Sequence, residues 1–276
     1  GTTPLEAAGY LDVGRDRWYR GMDYYFEGAA DGESKVRFIK GYYGDGKTHL
    51  MGMARRAALE KNFAVSYASA DDMRLDKFEE VYKRLARQVT TPQGPGGIEA
   101  ILRRWKGEAG PETSARLRAE TALDLNFRLA LEGYLRAAGP AEEDPIVQWL
   151  LGEPVQLRHL NINRKLQAGD SRDMMRSLSL FLRHIGLSGW LVLLDELDRV
   201  QNLTQRARQN CYQVLRELMD NTDGQGGMQG TLFYCAAPPE MFSSDRGFNE
   251  YDALRTRMKT ASGGSASGSP IDRKII

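Results

Sequence analysis

No apolar run in this sequence approaches the ~18 residues that a membrane-crossing helix needs, and nothing at its head reads as a secretory signal. Cysteine is scarce: Cys211 and Cys235 stand alone, with neither a disulfide framework nor a metal-ligand spacing around them. His49, His159 and His184 are scattered. An excess of charge of either sign is also missing. With 38 basic and 37 acidic side chains, the formal net charge is +1. That argues against non-specific nucleic-acid binding by the whole body, while leaving room for a local basic patch. No internal repeat is visible. The expectation is a protein of a reducing cytoplasm with no membrane partner, and 276 residues are enough for one large domain or two small ones.

What is present is a rhythm. "KVRFIKG" (35–41) reads as a short buried strand ending in glycine, and "GKTHLMGMARRAALEK" (46–61) as a helix with Leu50, Met53, Ala54 and Ala57 on one face. "FAVSYAS" (63–69) is a second strand by its β-branched and aromatic content, and "DKFEEVYKRLARQV" (76–89) an amphipathic helix. This order predicts an α/β fold with a parallel sheet sandwiched by helices. The loop "TTPQGPGG" (90–97) then breaks the rhythm, and from about 98 to 185 the pattern is almost wholly helical. In that stretch "ALDLNFRLALEGYLRAA" (122–138) is the clearest helix, and "AGPAEEDP" (138–145) separates it from another short one. Trp105 and Trp149 are expected in a core or an interface. Strands resume at "WLVLLDE" (190–196) and "GTLFYCAA" (230–237), with a helix at 206–220 between them carrying Cys211 as a small buried group.

The chemistry is concentrated at "GYYGDGKTHL" (41–50), between strand and helix. Residues 41–48 match G-x-x-x-x-G-K-[ST] at each fixed position, with Gly41, Gly46, Lys47 and Thr48. Glycines let successive N–H groups curl around an anion, and the helix N-terminus adds about half a positive charge. Lys47 is placed for the β- and γ-phosphates and Thr48 for Mg²⁺. Gly44, Asp45 and His49 complete the candidate nucleotide pocket, His49 without an assigned chemistry. A chance glycine-rich turn is the competing reading.

A second element bears on that choice. "WLVLLDELD" (190–198) is a buried-strand run ending in Asp195-Glu196. Carboxylates at the carboxyl end of a core strand face the phosphate loop of a neighbouring strand. Asp195 is the candidate Mg²⁺ residue, and Glu196 the candidate general base that polarises the attacking water. The alternative is a strand followed by a solvated polar turn.

Further segments resemble the AAA+ and origin-recognition-like ATPases. "VGRDRWYRGMDYYF" (13–26) looks like the Gly-Arg box that lies beside the adenine, with Gly14 and Arg15 as the candidates. "LFYCAAPPEMF" (232–242) stands where that group carries a polar sensor, but offers Cys235-Ala236-Ala237, so the sensor is weak or absent. "YDALRTRM" (251–258) stands where the group carries an arginine finger, which makes Arg257, ahead of Arg255, a candidate for a neighbouring subunit's γ-phosphate. A solvated helix arginine is the competing reading for each.

The chain as a whole resembles the P-loop ATP-binding proteins of bacteriophage-exclusion (BREX) defence systems. The resemblance is carried by "DVGRDRW", "RFIKGYYGDGKTHLM", "FAVSYASADD", "VQWLLGEP", "GLSGWLVLLDELDRV" and "PPEMFSSDRGFNEYDALRTRM". It implies an AAA+-like Mg²⁺-dependent ATPase working with DNA and other defence proteins, as a possible ATP-dependent homo-oligomer. It divides the chain into an ATPase half-core with Walker A (1–91), a helical insertion (92–185), a half-core with Walker B and the arginine finger (186–260), and a flexible tail or the start of a lid (261–276). The helical C-terminal lid of such proteins is expected to be missing or truncated. The alternative is a nucleotide-dependent signalling or scaffold switch with little hydrolysis.

Overall fold

Apolar residues fill the strands so completely that the sheet must be covered on both faces. In Lys35–Lys40 (β1) only the terminal lysines escape burial, and Gly189–Asp195 (β3) and Thr231–Ala237 (β4) are buried throughout. Phe63–Ser69 (β2) opens to solvent only at Tyr67. Such runs suit a parallel sheet with helices on either side. The computed structural model, which describes residues 16–162, 170–222 and 227–260, shows that architecture. The strands pair in parallel in the order β1-β4-β3-β2. The strand leading into the glycine loop and the strand carrying Asp195 are therefore separated by β4.

The sheet faces sort by residue parity. On one face Ile39, Val65, Leu191, Leu193, Leu232 and Tyr234 pack against Asp16–Ala30 (α1) and Lys47–Glu60 (α2). On the other, Phe38, Ala64, Val192, Leu194 and Phe233 join a larger core. That core is built from Phe78–Arg87 (α3), Gly97–Gly107 (α4), Thr113–Ala119 (α5), Leu125–Arg136 (α6), Pro140–Leu150 (α7), Asp170–His184 (α8), Gln205–Thr222 (α9), Glu240–Ser243 (α10) and Asp252–Thr260 (α11). The helices after α3 thus share a continuous apolar cluster with the sheet, and α8 packs directly on β3. Trp105 stacks edge-on against Phe181 in that core, and Trp149 is buried within it. Each large apolar side chain buried there contributes roughly 1.5–3 kcal/mol relative to exposure. Trp190, in the middle of β3, places its indole N–H 3.0 Å from the Ser66 hydroxyl, which itself donates to Leu85 O, so the polar atoms of these two side chains are paired.

The segment 138–145 differs from the expected break. Helix α7 starts at Pro140, with Pro145 inside it. Proline at the first helical position loses no hydrogen bond and brings a suitable φ. Glu142 and Glu143 favour the positive end of the helix dipole, and Glu142 also accepts from the Ala138 N–H at 2.9 Å. These start signals outweigh the two prolines. The remaining strands and helices that periodicity predicts around the glycine loop lie within a few residues of their expected bounds.

Candidate functional site

The site forms at the carboxyl ends of the strands, where the loop after β1 turns into α2. Gly44 and Gly46 sit at φ of 90° and 84°, backbone that an L side chain adopts only under strain. At Gly41 close packing is the constraint: a Cβ there would lie 3.3 Å from Asp45 atoms and 3.4 Å from Lys47 Cγ. Asp45 closes the turn, accepting from the Tyr42 N–H at 2.6 Å. The Lys47 ammonium folds back over the loop and donates to Gly41 O at 2.7 Å and Tyr42 O at 2.8 Å. The Gly41 N–H bonds Ala237 O at 3.3 Å, which ties the loop to the end of β4. Gly46 caps α2 without a side chain, so the first N–H groups of the helix face the loop.

Across β4, the acidic pair of β3 meets this loop. Thr48 Oγ1 donates to Asp195 Oδ2 at 3.0 Å although 147 residues separate them. Asp195 Oδ1 accepts the Glu196 N–H at 2.8 Å. Glu196 itself lies one residue past the strand with φ 55°, a left-handed conformation uncommon for a non-glycine residue. Such strained backbone clusters at functional sites. Thr48 and Asp195 are thus in contact, with Lys47 and Glu196 next to them in the chain.

Two residues outside the sequence-derived set join them. Tyr67 donates to Asp195 Oδ2 at 3.2 Å and Ser69 to Glu196 Oε2 at 2.8 Å, each holding one carboxylate. Burial first, and then the neighbouring Asp195, raises the Tyr67 pKa above its ordinary value, so the phenol remains a donor. A signal for both was present in "FAVSYAS". Tyr67 and Ser69, two residues apart, fall on one face of the strand at its carboxyl end, and Ser69 is the register partner of Asp195. The contacts continue outward: the Asp71 N–H bonds Ser69 Oγ at 3.2 Å, and the Asp71 carboxylate pairs with Arg199 at 3.2 Å. Beyond this loop lies a groove of about 380 Å³ lined by charges such as Asp72, Glu80, Lys83 and Arg84. Arg84 pairs with Asp72 and Lys83 with Glu80, each at 3.0 Å, so charges of both signs line the groove.

The other sequence candidates are placed differently. His49 stands in the first turn of α2 with Nδ1 and Nε2 both buried and without a hydrogen-bond partner. Cys235 is fully buried in β4, and burial pushes its thiol up to about 12, which denies it the role of a charged sensor. Cys211 is also pushed up to about 12, mainly by burial. Arg257 is already engaged: its Nε and Nη2 grip the Asp220 carboxylate of α9, Nη2 at 2.9 Å, and its Nη1 donates to Ala253 O at 2.8 Å. Arg255 makes a near-sequence ion pair with Asp252 at 2.6 Å, and its side chain is 41% exposed. Leu254 and Met258 anchor α11 to the core on the sheet face opposite α2. Gly14 and Arg15 lie outside the described residues, as does the tail 261–276.

The donors at the site suit a hard cation. The Thr48 hydroxyl and the Asp195 carboxylate are oxygen ligands of the kind Mg²⁺ takes, and Mg²⁺ commonly uses one or two protein groups together with phosphate oxygens and water. Among the described residues no group of His, Cys, Asp and Glu forms a metal cage by itself. Among those residues, too, no helix is long and apolar enough to cross a membrane.

The family model of the BREX system ATP-binding protein BrxC/D matches residues 1–128 and 112–269. No curated protein and no solved structure matches the chain. The chain belongs to the BREX system ATP-binding protein family.

Proposed function

We propose that this member of the BREX ATP-binding family binds ATP with Mg²⁺ on the loop 41–48 and hydrolyses it as an AAA+-like ATPase of a phage-defence system. The observation that carries the reading is the 3.0 Å contact between Thr48 and Asp195. It joins the end of a glycine-lysine loop to an acidic strand end, and each is half of a nucleotide site.

The roles follow from position. Backbone N–H groups of the glycine loop and of the α2 terminus cradle the phosphates. Lys47 exchanges its two carbonyl contacts for β- and γ-phosphate oxygens. Thr48 and Asp195 hold Mg²⁺, which when bound neutralises charge on the phosphate oxygens. Glu196 orients a water for attack on the γ-phosphorus and accepts its proton. The placement of β4 between β1 and β3 supports the AAA+-like assignment. Gly14 and Arg15 are proposed beside the adenine. DNA, other defence proteins and further copies of the chain are the proposed partners, in the cytoplasm.

A switch with little turnover is the second reading. It is favoured by the buried, apolar Cys235-Ala236-Ala237 at the sensor position and by the internal pairing of both candidate finger arginines. Phosphate release and ATP binding by the parent, Lys47→Ala, Asp195→Asn and Glu196→Gln separate the readings. Lys47→Ala is expected to lose at least about tenfold in affinity, ~1.4 kcal/mol, and Asp195→Asn to weaken only the Mg²⁺-dependent part. Glu196→Gln is expected to keep ATP while turnover drops roughly 10²-fold. Undiminished binding by Lys47→Ala defeats the phosphate-loop assignment, and equal turnover in Glu196→Gln and parent moves the conclusion to the switch.

A further inference from the structure

The β2 tyrosine has no place in the roles above, yet it touches the carboxylate on which the metal depends. β2 runs beside β3 with Tyr67 opposite Leu193 and Ser69 opposite Asp195. Tyr67 therefore lies one pleat below Ser69 on the α2 face of the sheet, from which its hydroxyl reaches forward to Asp195.

A carboxylate offers about four acceptor positions, two on each oxygen. On Asp195, Oδ2 takes Thr48 at 3.0 Å and Tyr67 at 3.2 Å, and Oδ1 takes the Glu196 N–H at 2.8 Å. Asp195 is only 3% exposed, so bulk water scarcely reaches it. The oxygen beside Thr48, on the metal side, is thereby saturated by protein donors. A metal ion or a metal-bound water must compete with the phenol for that oxygen's charge.

We propose that Tyr67 is a positioning residue that weakens the hold of Asp195 on the metal by occupying the second acceptor position of Oδ2. This rests on the proposed function and deepens it. The orientation of the carboxylate does not depend on Tyr67, because the Thr48 hydroxyl and the Glu196 N–H fix both oxygens without it. Removing the phenolic oxygen releases charge toward the metal while leaving the carboxylate in place. Tyr67 packs at the margin of the α1–α2 core, and phenylalanine retains that packing.

The test is Tyr67→Phe, with ATP binding followed by calorimetry across a Mg²⁺ series and again in EDTA, alongside thermal melting. A hydrogen bond to a charged group is stronger than one between neutral groups. If part of its strength returns to the metal, the Mg²⁺ concentration for half-maximal binding falls roughly threefold to tenfold. ATP affinity in EDTA and the melting temperature are expected to match the parent, a split that a merely structural role does not give. An unchanged or increased Mg²⁺ requirement overturns the proposal, as does an equal change with and without Mg²⁺. A parent that binds no ATP overturns the proposed function and this inference together. A parent that binds Mg²⁺-ATP normally beside an unaltered Tyr67→Phe overturns this inference alone.

Discussion

Ser69 and Glu196, 127 residues apart in sequence, meet at 2.8 Å, hydroxyl to carboxylate, at the ends of neighbouring strands. The contact occupies one acceptor position of the proposed base and directs its carboxylate toward β2. In Ser69→Ala that oxygen is free to take a water instead. Turnover is expected to rise roughly threefold to tenfold, in line with the release of a hydrogen bond of about 1 kcal/mol, while ATP affinity stays within twofold of the parent, on the order of RT in free energy. Steady-state phosphate release beside equilibrium ATP binding measures both. A fall in turnover would mean that Ser69 holds Glu196 in its working position rather than restrains it.

The arginines of α11 separate by what already holds them. The Asp220–Arg257 contact is bidentate, of the kind that fixes geometry, and Arg257 gives a further bond to Ala253 O. To reach a neighbour it must abandon all of these. Arg255 has only an exposed partner, Asp252, and exposed pairs contribute little, about 0–1 kcal/mol. If an arginine of α11 serves a neighbouring subunit, Arg255 is released at lower cost than Arg257. Lys47→Ala subunits mixed with Arg255→Ala subunits are expected to regain hydrolysis, because each supplies what the other lacks. Arg257→Ala is expected to lower the melting temperature by loosening α11 from α9. Recovery in an Arg257→Ala mixture, with none for Arg255→Ala, would point to Arg257 instead. No recovery for either, with no ATP-dependent change in sedimentation, would favour the monomeric switch.

His184, at the end of α8, gives a pH dependence. It lies 3.9 Å from Glu120, an arrangement that by itself would favour the charged ring. Burial outweighs that attraction and moves the His184 pKa below its ordinary value, since the ring is far less exposed than its partner. The unfolded chain then binds a proton more readily than the folded one. Stability from this group is present above its unfolded pKa of about 6.5, and is lost progressively as pH falls toward the folded value. Melting curves between about pH 7.5 and 5.5 are expected to show a smaller loss in His184→Gln than in the parent. Equal slopes would show that other groups carry the dependence.

The alternation of strands and helices around the glycine loop is legible in the sequence, because buried strands must be apolar and α2 needs an apolar face. The sequence also specifies the loop, since Gly44 and Gly46 take backbone that other residues resist; it singles out Lys47 and Thr48 by the glycine-lysine motif, and Asp195 and Glu196 by their position at a strand end. The start of α7 is hidden in the sequence because Pro140 and Pro145 look like breakers when counted as letters, whereas Pro140 at a helix start costs nothing. That β2 lies beside β3 emerges only in the folded sheet. That neighbour brings Tyr67 onto Asp195 and Ser69 onto Glu196, and a hydroxyl in a strand has no partner until the register of the sheet is known. Only the tertiary structure, likewise, distinguished Arg255 from Arg257. Two residues apart they look alike in sequence, but Asp220 reaches one and not the other through the packing of α11 on α9.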